Sequence, residues 1–182
     1  MYTGVFDKAR RRCEELRLKD TNNPEPRMLA AQIEFFGRNF DRAEQLYAEL
    51  MEKDRTGGVN CLNSIRFLSA VGFVHRSHGL DDSEMLLKEA IATDEKELSA
   101  APANPALSYS LAASYAAAGK SELAVSTLER AIEAGWVDVR SIQTDPRFDD
   151  VRSALAFERA AGQLRDRLRA MAAHIAEPRE QN

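Results

Sequence analysis

The chain has 182 residues, of which 44% are hydrophobic and 30% are charged, with 9 glycines and 6 prolines. This composition excludes a disordered or linker-rich chain, and the formal net charge of −4 disfavours non-specific binding to nucleic acid, which needs a clustered basic face. No apolar run reaches the ~20 residues of a membrane-spanning helix, and the N-terminus has no signal-peptide core. We therefore expect a cytoplasmic protein, in which Cys13 and Cys61 are small core residues because their spacing suits neither a metal nor a redox site.

Alanine, leucine, glutamate and arginine dominate, and the alternation of β-branched residues that marks strands is absent, which predicts an all-α fold. Asp41 and Ser121 are expected to cap the helices that they begin, and Gly135 to stop a helix. Thr144-Asp145-Pro146 signals a helix start in an otherwise irregular segment. In chain order, we expect helices over residues 5–19, 26–37, 41–53, 60–78, 82–99, 106–118, 121–134 and 153–176.

A repeated phrase organises these helices. Phe6-Asp7-Lys8-Ala9 and Phe40-Asp41-Arg42-Ala43 stand 34 residues apart, a period typical of helix-turn-helix arrays. Small and large residues then recur at matching places in three successive hairpins, where small ones suit close helix crossings and large ones fill the spaces between helices. These residues are Ala31, Ala43, Tyr47 and Leu50; then Gly72, Gly79, Leu87, Ala90 and Pro102; then Leu111, Ala112, Tyr115, Gly119, Ala124, Leu128 and Ala131. Over residues 4–138 the chain resembles the tetratricopeptide repeat (TPR) family, including its bacterial members.

The resemblance implies a single domain over 1–182, folded as a right-handed α-solenoid of about three full repeats. Its expected parts are a leading half-repeat (4–23), repeats at 24–57, 58–104 and 105–138, an irregular cap with a last helix (139–176), and a tail (177–182). The family's frequent tryptophan is missing and Gly37 comes one or two residues early. The spacing also requires lengthened helices near residues 57–64 and 92–101.

The phasing of the first phrase predicts an unusual N-terminal edge. Residues 4–9 correspond to the turn and second helix of a repeat, so the face of Phe6, Ala9, Cys13 and Leu16 would be covered on one side only. We expect either a piece of a longer array or an edge that pairs with a second copy as a homodimer. The alternative is a simple N-terminal capping helix.

The resemblance also implies a function, because the first helices of TPR repeats line a concave groove. We expect a non-catalytic scaffold that binds a peptide or helix of a partner protein, the alternative being a regulatory or dimerisation segment of a larger signalling enzyme, a kinase or cyclase. For the phenylalanines the competing interpretation is packing between repeats, and for the arginines it is surface ion pairing. The expected groove residues are Gln32, Phe35, Phe36, Arg66, Ser69, Phe73, Arg76, Tyr109 and Ala113.

The sequence offers no catalytic motif. It contains no nucleophile–base pair, phosphate-binding loop or metal-ligand cluster, so we expect neither an enzyme nor a cofactor. His75 and His78 are interpreted as solvated or core histidines rather than zinc ligands. The paired basic and asparagine residues with which some TPR proteins hold a C-terminal carboxylate are also missing, since Ala106 and Ser110 occupy matching positions.

Overall fold

The computed structural model describes residues 3–19, 23–55 and 66–176, and all of its regular structure is helical, with no strand among those residues. None of the helices in this part of the chain is both long and apolar enough to cross a membrane. The chain divides into two compact units, Met1–Thr93 and Asp94–Asn182. The helices are α1 (Thr3–Lys19), α2 (Glu25–Phe36), α3 (Phe40–Arg55), α4 (Arg66–His78), α5 (Ser83–Ala100), α6 (Pro105–Ala117), α7 (Ser121–Glu133), α8 (Val139–Thr144), a 3₁₀ turn (Pro146–Phe148) and α9 (Leu155–Ala176).

Four helices end in the same type of turn. After α2, Arg38 N–H donates to the Phe35 carbonyl at 3.0 Å and Asn39 N–H donates to the Glu34 carbonyl at 2.9 Å. The same two bonds recur after α4, α6 and α7, where the residue equivalent to Arg38 is a glycine. This is the Schellman motif, whose key residue adopts positive φ. The φ angles are 61° at Arg38, 70° at Gly79, 73° at Gly119 and 112° at Gly135.

The first of these turns has its left-handed residue at Arg38 and not at the neighbouring glycine. Gly37 has an ordinary φ of −77°, so it is Arg38 that adopts the left-handed conformation in the first hairpin. A non-glycine side chain in that conformation costs free energy, because its Cβ crowds the following carbonyl. Gly37, which comes one or two residues early in the repeat pattern, is therefore not the left-handed residue of this turn.

The helix starts differ from the expected caps. α7 begins at Ser121 with Lys120 in the cap position and no side-chain cap bond, so the prediction that Ser121 caps this helix is wrong. Asp41 lies inside the first turn of α3, which begins at Phe40. Side-chain caps are present at Asn104, which accepts from Ala106 and Leu107 N–H, and at Asp138, which begins α8. An acceptor side chain just before a helix satisfies otherwise unbonded amides.

Helix lengths agree in part with the expected lengthening. α5 has 18 residues and continues to Ala100, whereas α4, α6 and α7 have 13 each. α3 continues to Arg55, and the other lengthening was expected near residues 57–64, which lie outside the described part of the chain. The expected 34-residue spacing is thus stretched to about 40 between the Arg38, Gly79 and Gly119 turns.

The first unit has a core contributed by α2, α3, α4 and the first part of α5. Among its buried members Ala31, Tyr47 and Val71 are at most 1% exposed. α1 joins α2 through Arg10, which donates to both oxygens of Glu34 at 2.7 and 3.0 Å. Cys13 is buried on α1 as expected, and burial raises the pKa of its thiol. Cys61 lies outside the described residues.

The second unit is built around α6. Every side chain from Ser108 to Ala117 is buried, so this helix has no solvent face, unlike the amphipathic helices around it. α7 is its antiparallel neighbour, and the 3₁₀ turn Pro146–Phe148 also contacts it. α9 packs on α7 with Phe157, Ala160 and Leu164 buried, and its Arg167 donates to the Ile132 carbonyl near the C-terminus of α7 at 2.6 Å. Whether the hairpins form a solenoid stays a prediction.

Candidate functional site

Four phenylalanine rings meet in the first unit where α2, the start of α3 and α4 come together. The Phe35 ring, 1% exposed, has its centroid 5.7 Å from that of Phe36, 6.0 Å from Phe40 and 5.9 Å from Phe73. The Phe40 and Phe73 centroids are 5.7 Å apart. Edge-to-face contacts of this kind fix ring orientation. We call these four residues the phenylalanine cluster.

The cluster is only partly enclosed. Phe36, Phe40 and Phe73 are half-buried, so three rings keep some accessible surface around the buried Phe35. The rings therefore pack between helices and still reach solvent. The arrangement is a fixed apolar surface that could accept an apolar side chain from outside.

Two predicted polar residues extend the same helix faces. Gln32, half-buried, lies one turn before Phe36 on α2, and Arg76, exposed, lies three residues after Phe73 on α4. Residues three or four apart on a helix share a face. The amide of Gln32 therefore lies on the same face of α2 as Phe36, and the guanidinium of Arg76 on the same face of α4 as Phe73.

Two other predicted residues of this unit contribute little surface. Ser69 is 1% exposed and Phe35 equally buried, so both belong to the core. Arg66 begins α4, but its side chain is outside what the structure describes. Among the predicted residues of this unit whose side chains are described, Gln32, Phe36, Phe73 and Arg76 keep accessible surface.

Tyr109 and Ala113 lie in the second unit and are covered by the C-terminal part of the chain. Ala113 is fully buried. The Tyr109 ring stacks on Trp136 at 4.3 Å with 9° between the planes, and lies 5.8 Å from the Phe148 ring. Tyr109 therefore packs against aromatic rings of the second unit. A partner helix would have to displace Trp136 to reach Tyr109.

A buried polar network below Tyr109 was not anticipated. Asp145 has no exposed surface, accepts the Tyr109 hydroxyl at 3.0 Å and pairs with Arg147 at 2.6 Å. It also accepts the backbone N–H of Arg147 at 3.1 Å and so caps the 3₁₀ turn that begins at Pro146. Burial and then the Asp145 charge raise the pKa of Tyr109 well above its ordinary value. Burial alone would lower the pKa of Arg147, but the Asp145 carboxylate outweighs it and raises that pKa.

A second buried carboxylate lies between α5 and α6. Asp94, 3% exposed, accepts the Ser110 hydroxyl at 2.9 Å and the Ser114 hydroxyl at 2.5 Å. Burial raises the pKa of Asp94, and the two hydroxyls oppose that change only in part. In the sequence, Ser110 and Ser114 stand one turn apart on an apolar helix, which suggests a buried hydrogen-bonding partner. The pattern does not identify that partner as Asp94. The carboxylates of both networks are hydrogen-bonded within the second unit, which favours a single packing arrangement of these helices.

The two histidines pair with carboxylates on neighbouring elements. His75 Nδ1 lies 2.6 Å from Asp82 Oδ1, and His78 Nδ1 lies 2.6 Å from Glu44 Oε2, which links α4 to α3. His78 Nε2 also lies 3.3 Å from Asp41 Oδ1. Within the described ranges no group of three or more His, Cys, Asp or Glu is arranged to hold a metal ion. These contacts stabilise the junction of α3, α4 and α5.

Comparison with protein-family models, with curated proteins and with solved structures found no match for this chain. The phenylalanine cluster, with Gln32 and Arg76 along the same helices, joins rigid aromatic area to polar groups.

Proposed function

We propose that the chain is a TPR-like scaffold that binds a peptide segment or helix of a partner protein through the phenylalanine cluster, Gln32 and Arg76. The observation that carries the proposal is the partial exposure of three rings held in place by a buried fourth. Aromatic and arginine side chains dominate the binding energy of protein interfaces, because rings give large contact area and guanidinium groups give directed hydrogen bonds.

The recurring turns support the TPR-like part of the proposal. Three hairpins, α2/α3, α4/α5 and α6/α7, have the same pair of hydrogen bonds at their turns, and each has a small residue buried on its first helix. These small residues are Ala31, Gly72 and Ala112. A repeated supersecondary unit of this kind is what a helical array requires.

The chemistry of the surface defines the partner segment. An apolar side chain would pack on the edges of Phe36 and Phe73, and an acidic group placed about one helical turn away would approach Arg76. We therefore expect short segments that combine a large apolar residue with a glutamate or aspartate, bound as an extended peptide or as one face of a helix.

A peptide-display selection tests this function. Purified protein would be used to select linear peptides from a random library, and dissociation constants would be measured by fluorescence polarisation. We expect Arg76→Glu to weaken selected acidic peptides at least about tenfold, the equivalent of about 1.4 kcal/mol, by charge reversal. Phe36→Ser should weaken them similarly, because a central aromatic anchor is lost.

Arg159→Glu is the matched control, since Arg159 is also an exposed helix arginine but lies on α9. It should leave the affinities unchanged, and circular dichroism should show that all three variants remain helical. Selected peptides that bind R76E and F36S as tightly as the wild type would place binding elsewhere. A library that yields no specific peptide would count against the scaffold function itself.

A further inference from the structure

A cavity of about 450 Å³ lies in the second unit between α8 and α9. This volume falls within the ~300–1,000 Å³ typical of small-molecule sites. It is separate from the phenylalanine cluster, which is built by α2, α3 and α4 in the first unit. An inference drawn from it is therefore independent of the scaffold function.

The inner wall of the cavity is apolar. Ile142, Phe157 and Ala161 line it, and all three side chains are buried, with at most 8% exposed. Phe157 is further fixed by the Phe148 ring at 5.5 Å. A buried aromatic and aliphatic wall of this kind favours an apolar ligand body, since water in contact with it gains few hydrogen bonds.

One side of the cavity is an immobilised guanidinium. Arg152 donates to the Ile142 carbonyl at 2.6 Å, the Asp145 carbonyl at 2.8 Å and Asp149 Oδ1 at 2.9 Å. Its guanidinium carbon lies 5.9 Å from the centre of the Phe157 ring, within cation–π range. These contacts fix the Arg152 side chain in the absence of a ligand, so its guanidinium group forms one rigid side of the cavity.

Three exposed polar side chains line the rim of the cavity. Arg165, Glu158 and Gln143 line the cavity and are exposed, and no carboxylate of the described residues lies within ion-pair distance of Arg165. Asp149 offsets the charge of Arg152, which leaves Arg165 as the cation of the lining that has no carboxylate partner among the described residues. Such a site favours a ligand with a single negative charge, because a second one would approach Glu158.

We propose that this cavity binds a small organic monocarboxylate with an aromatic or branched aliphatic body. The body packs on Ile142, Phe157 and Ala161, and the carboxylate accepts hydrogen bonds from Arg165, whose planar guanidinium matches it with two parallel donors. Gln143 offers an amide donor at the same rim.

Phenylacetate is a suitable probe, with phenylacetamide as its uncharged counterpart of the same shape. Binding would be followed by two-dimensional amide NMR of the full chain at millimolar probe. We expect shifts confined to α8, residues 149–152 and the first three turns of α9, and weaker binding of phenylacetamide. Arg165→Gln should weaken phenylacetate about tenfold, because a hydrogen bond to a charged group is lost.

The control is Arg159→Gln, an exposed arginine on the same helix that does not line the cavity. It should bind phenylacetate as the wild type does, and neither surface substitution should disturb folding. The proposal is overturned by equal binding of the acid and the amide, by equal losses in R165Q and R159Q, by shifts elsewhere in the chain, or by no shifts at all. None of these outcomes bears on peptide binding at the phenylalanine cluster.

Discussion

Gly72 on α4 lies directly against Leu87 of α5, and replacing it with alanine should destabilise the first unit. A Cβ added there would lie 2.8 Å from Leu87 Cγ, 3.0 Å from Leu87 Cδ2 and 3.2 Å from the Leu87 backbone nitrogen. The first distance is shorter than real Cβ contacts allow. Leu87 is 4% exposed, so it has no free space into which to turn, and the two helices must separate by several tenths of an ångström.

The expected cost is the difference between two effects. Overpacking a close-packed core costs about 1–3 kcal/mol, and contact with a backbone atom puts this site near the upper end. Alanine in place of glycine inside a helix stabilises the fold by about 1 kcal/mol, because alanine has the higher helix propensity. The net loss in the free energy of unfolding should be about 2 kcal/mol, or roughly 4–8 °C in midpoint temperature for a chain of this size.

Gly162 is the matched control on α9. A Cβ there would lie 3.8 Å from an Arg165 guanidinium nitrogen, which is ordinary contact. Gly162→Ala should therefore gain about 0.5–1 kcal/mol from helix propensity alone. Both variants would be measured by urea titration followed by circular dichroism. A G72A protein that is more stable than the wild type, by the roughly 0.5–1 kcal/mol expected of G162A, would refute the close-crossing argument, since the propensity gain would then be unopposed.

Three further expectations follow from the polar networks and turns. Tyr109→Phe should lower the free energy of unfolding by about 1–3 kcal/mol in urea titration, because it removes a buried hydrogen-bond donor to Asp145. Tyr115→Phe should lower it by less, because the Tyr115 hydroxyl donates to Glu95 at a part-buried site. Equal losses in the two variants would contradict the burial argument. Burial raises the pKa of Asp94 above 3.8, so its contribution to stability is complete below pH 3.8 and is lost as pH rises through the raised pKa. The free energy of unfolding of the wild type relative to Asp94→Asn should thus fall as pH rises from 3.8, and a constant difference would show that Asp94 titrates normally. Arg38→Gly should be about 1 kcal/mol more stable than Arg38→Ala in thermal unfolding, because both lose the side chain and only glycine relieves the positive φ; equal midpoints would indicate that the turn is unstrained.

Local signals in the sequence predicted the helices well. The expected helix over 121–134 is observed as Ser121–Glu133, and the expected glycine turns at Gly79, Gly119 and Gly135 are present. Such signals work because a left-handed residue or a helix start is decided by a few neighbouring residues. The cap at Asn104 follows the same rules, since Asn104 is the one polar residue of the segment 100–106 and directly precedes Pro105 at the first position of α6.

Exposure could not be predicted in the same way. Ala113 and Tyr109 have the right spacing for a groove, yet Trp136 and the 3₁₀ turn near Phe148 cover Tyr109. Which face of a helix meets solvent depends on segments distant in the chain, and one sequence does not reveal those contacts. The partner of Asp145 is a similar case, because Tyr109 lies 36 residues away.

The shared turn also bears on how this chain could be labelled or extended. Because each Schellman turn joins its two helices through a few residues with fixed hydrogen bonds, an added residue at Gly79 or Gly119 would shift the second helix against the first. The difference between 18 residues in α5 and 13 in α7 shows that length varies at the far end of a hairpin. An epitope or fluorophore segment therefore belongs in the exposed link at Pro102 and Ala103, where the hairpins on either side would keep their internal register.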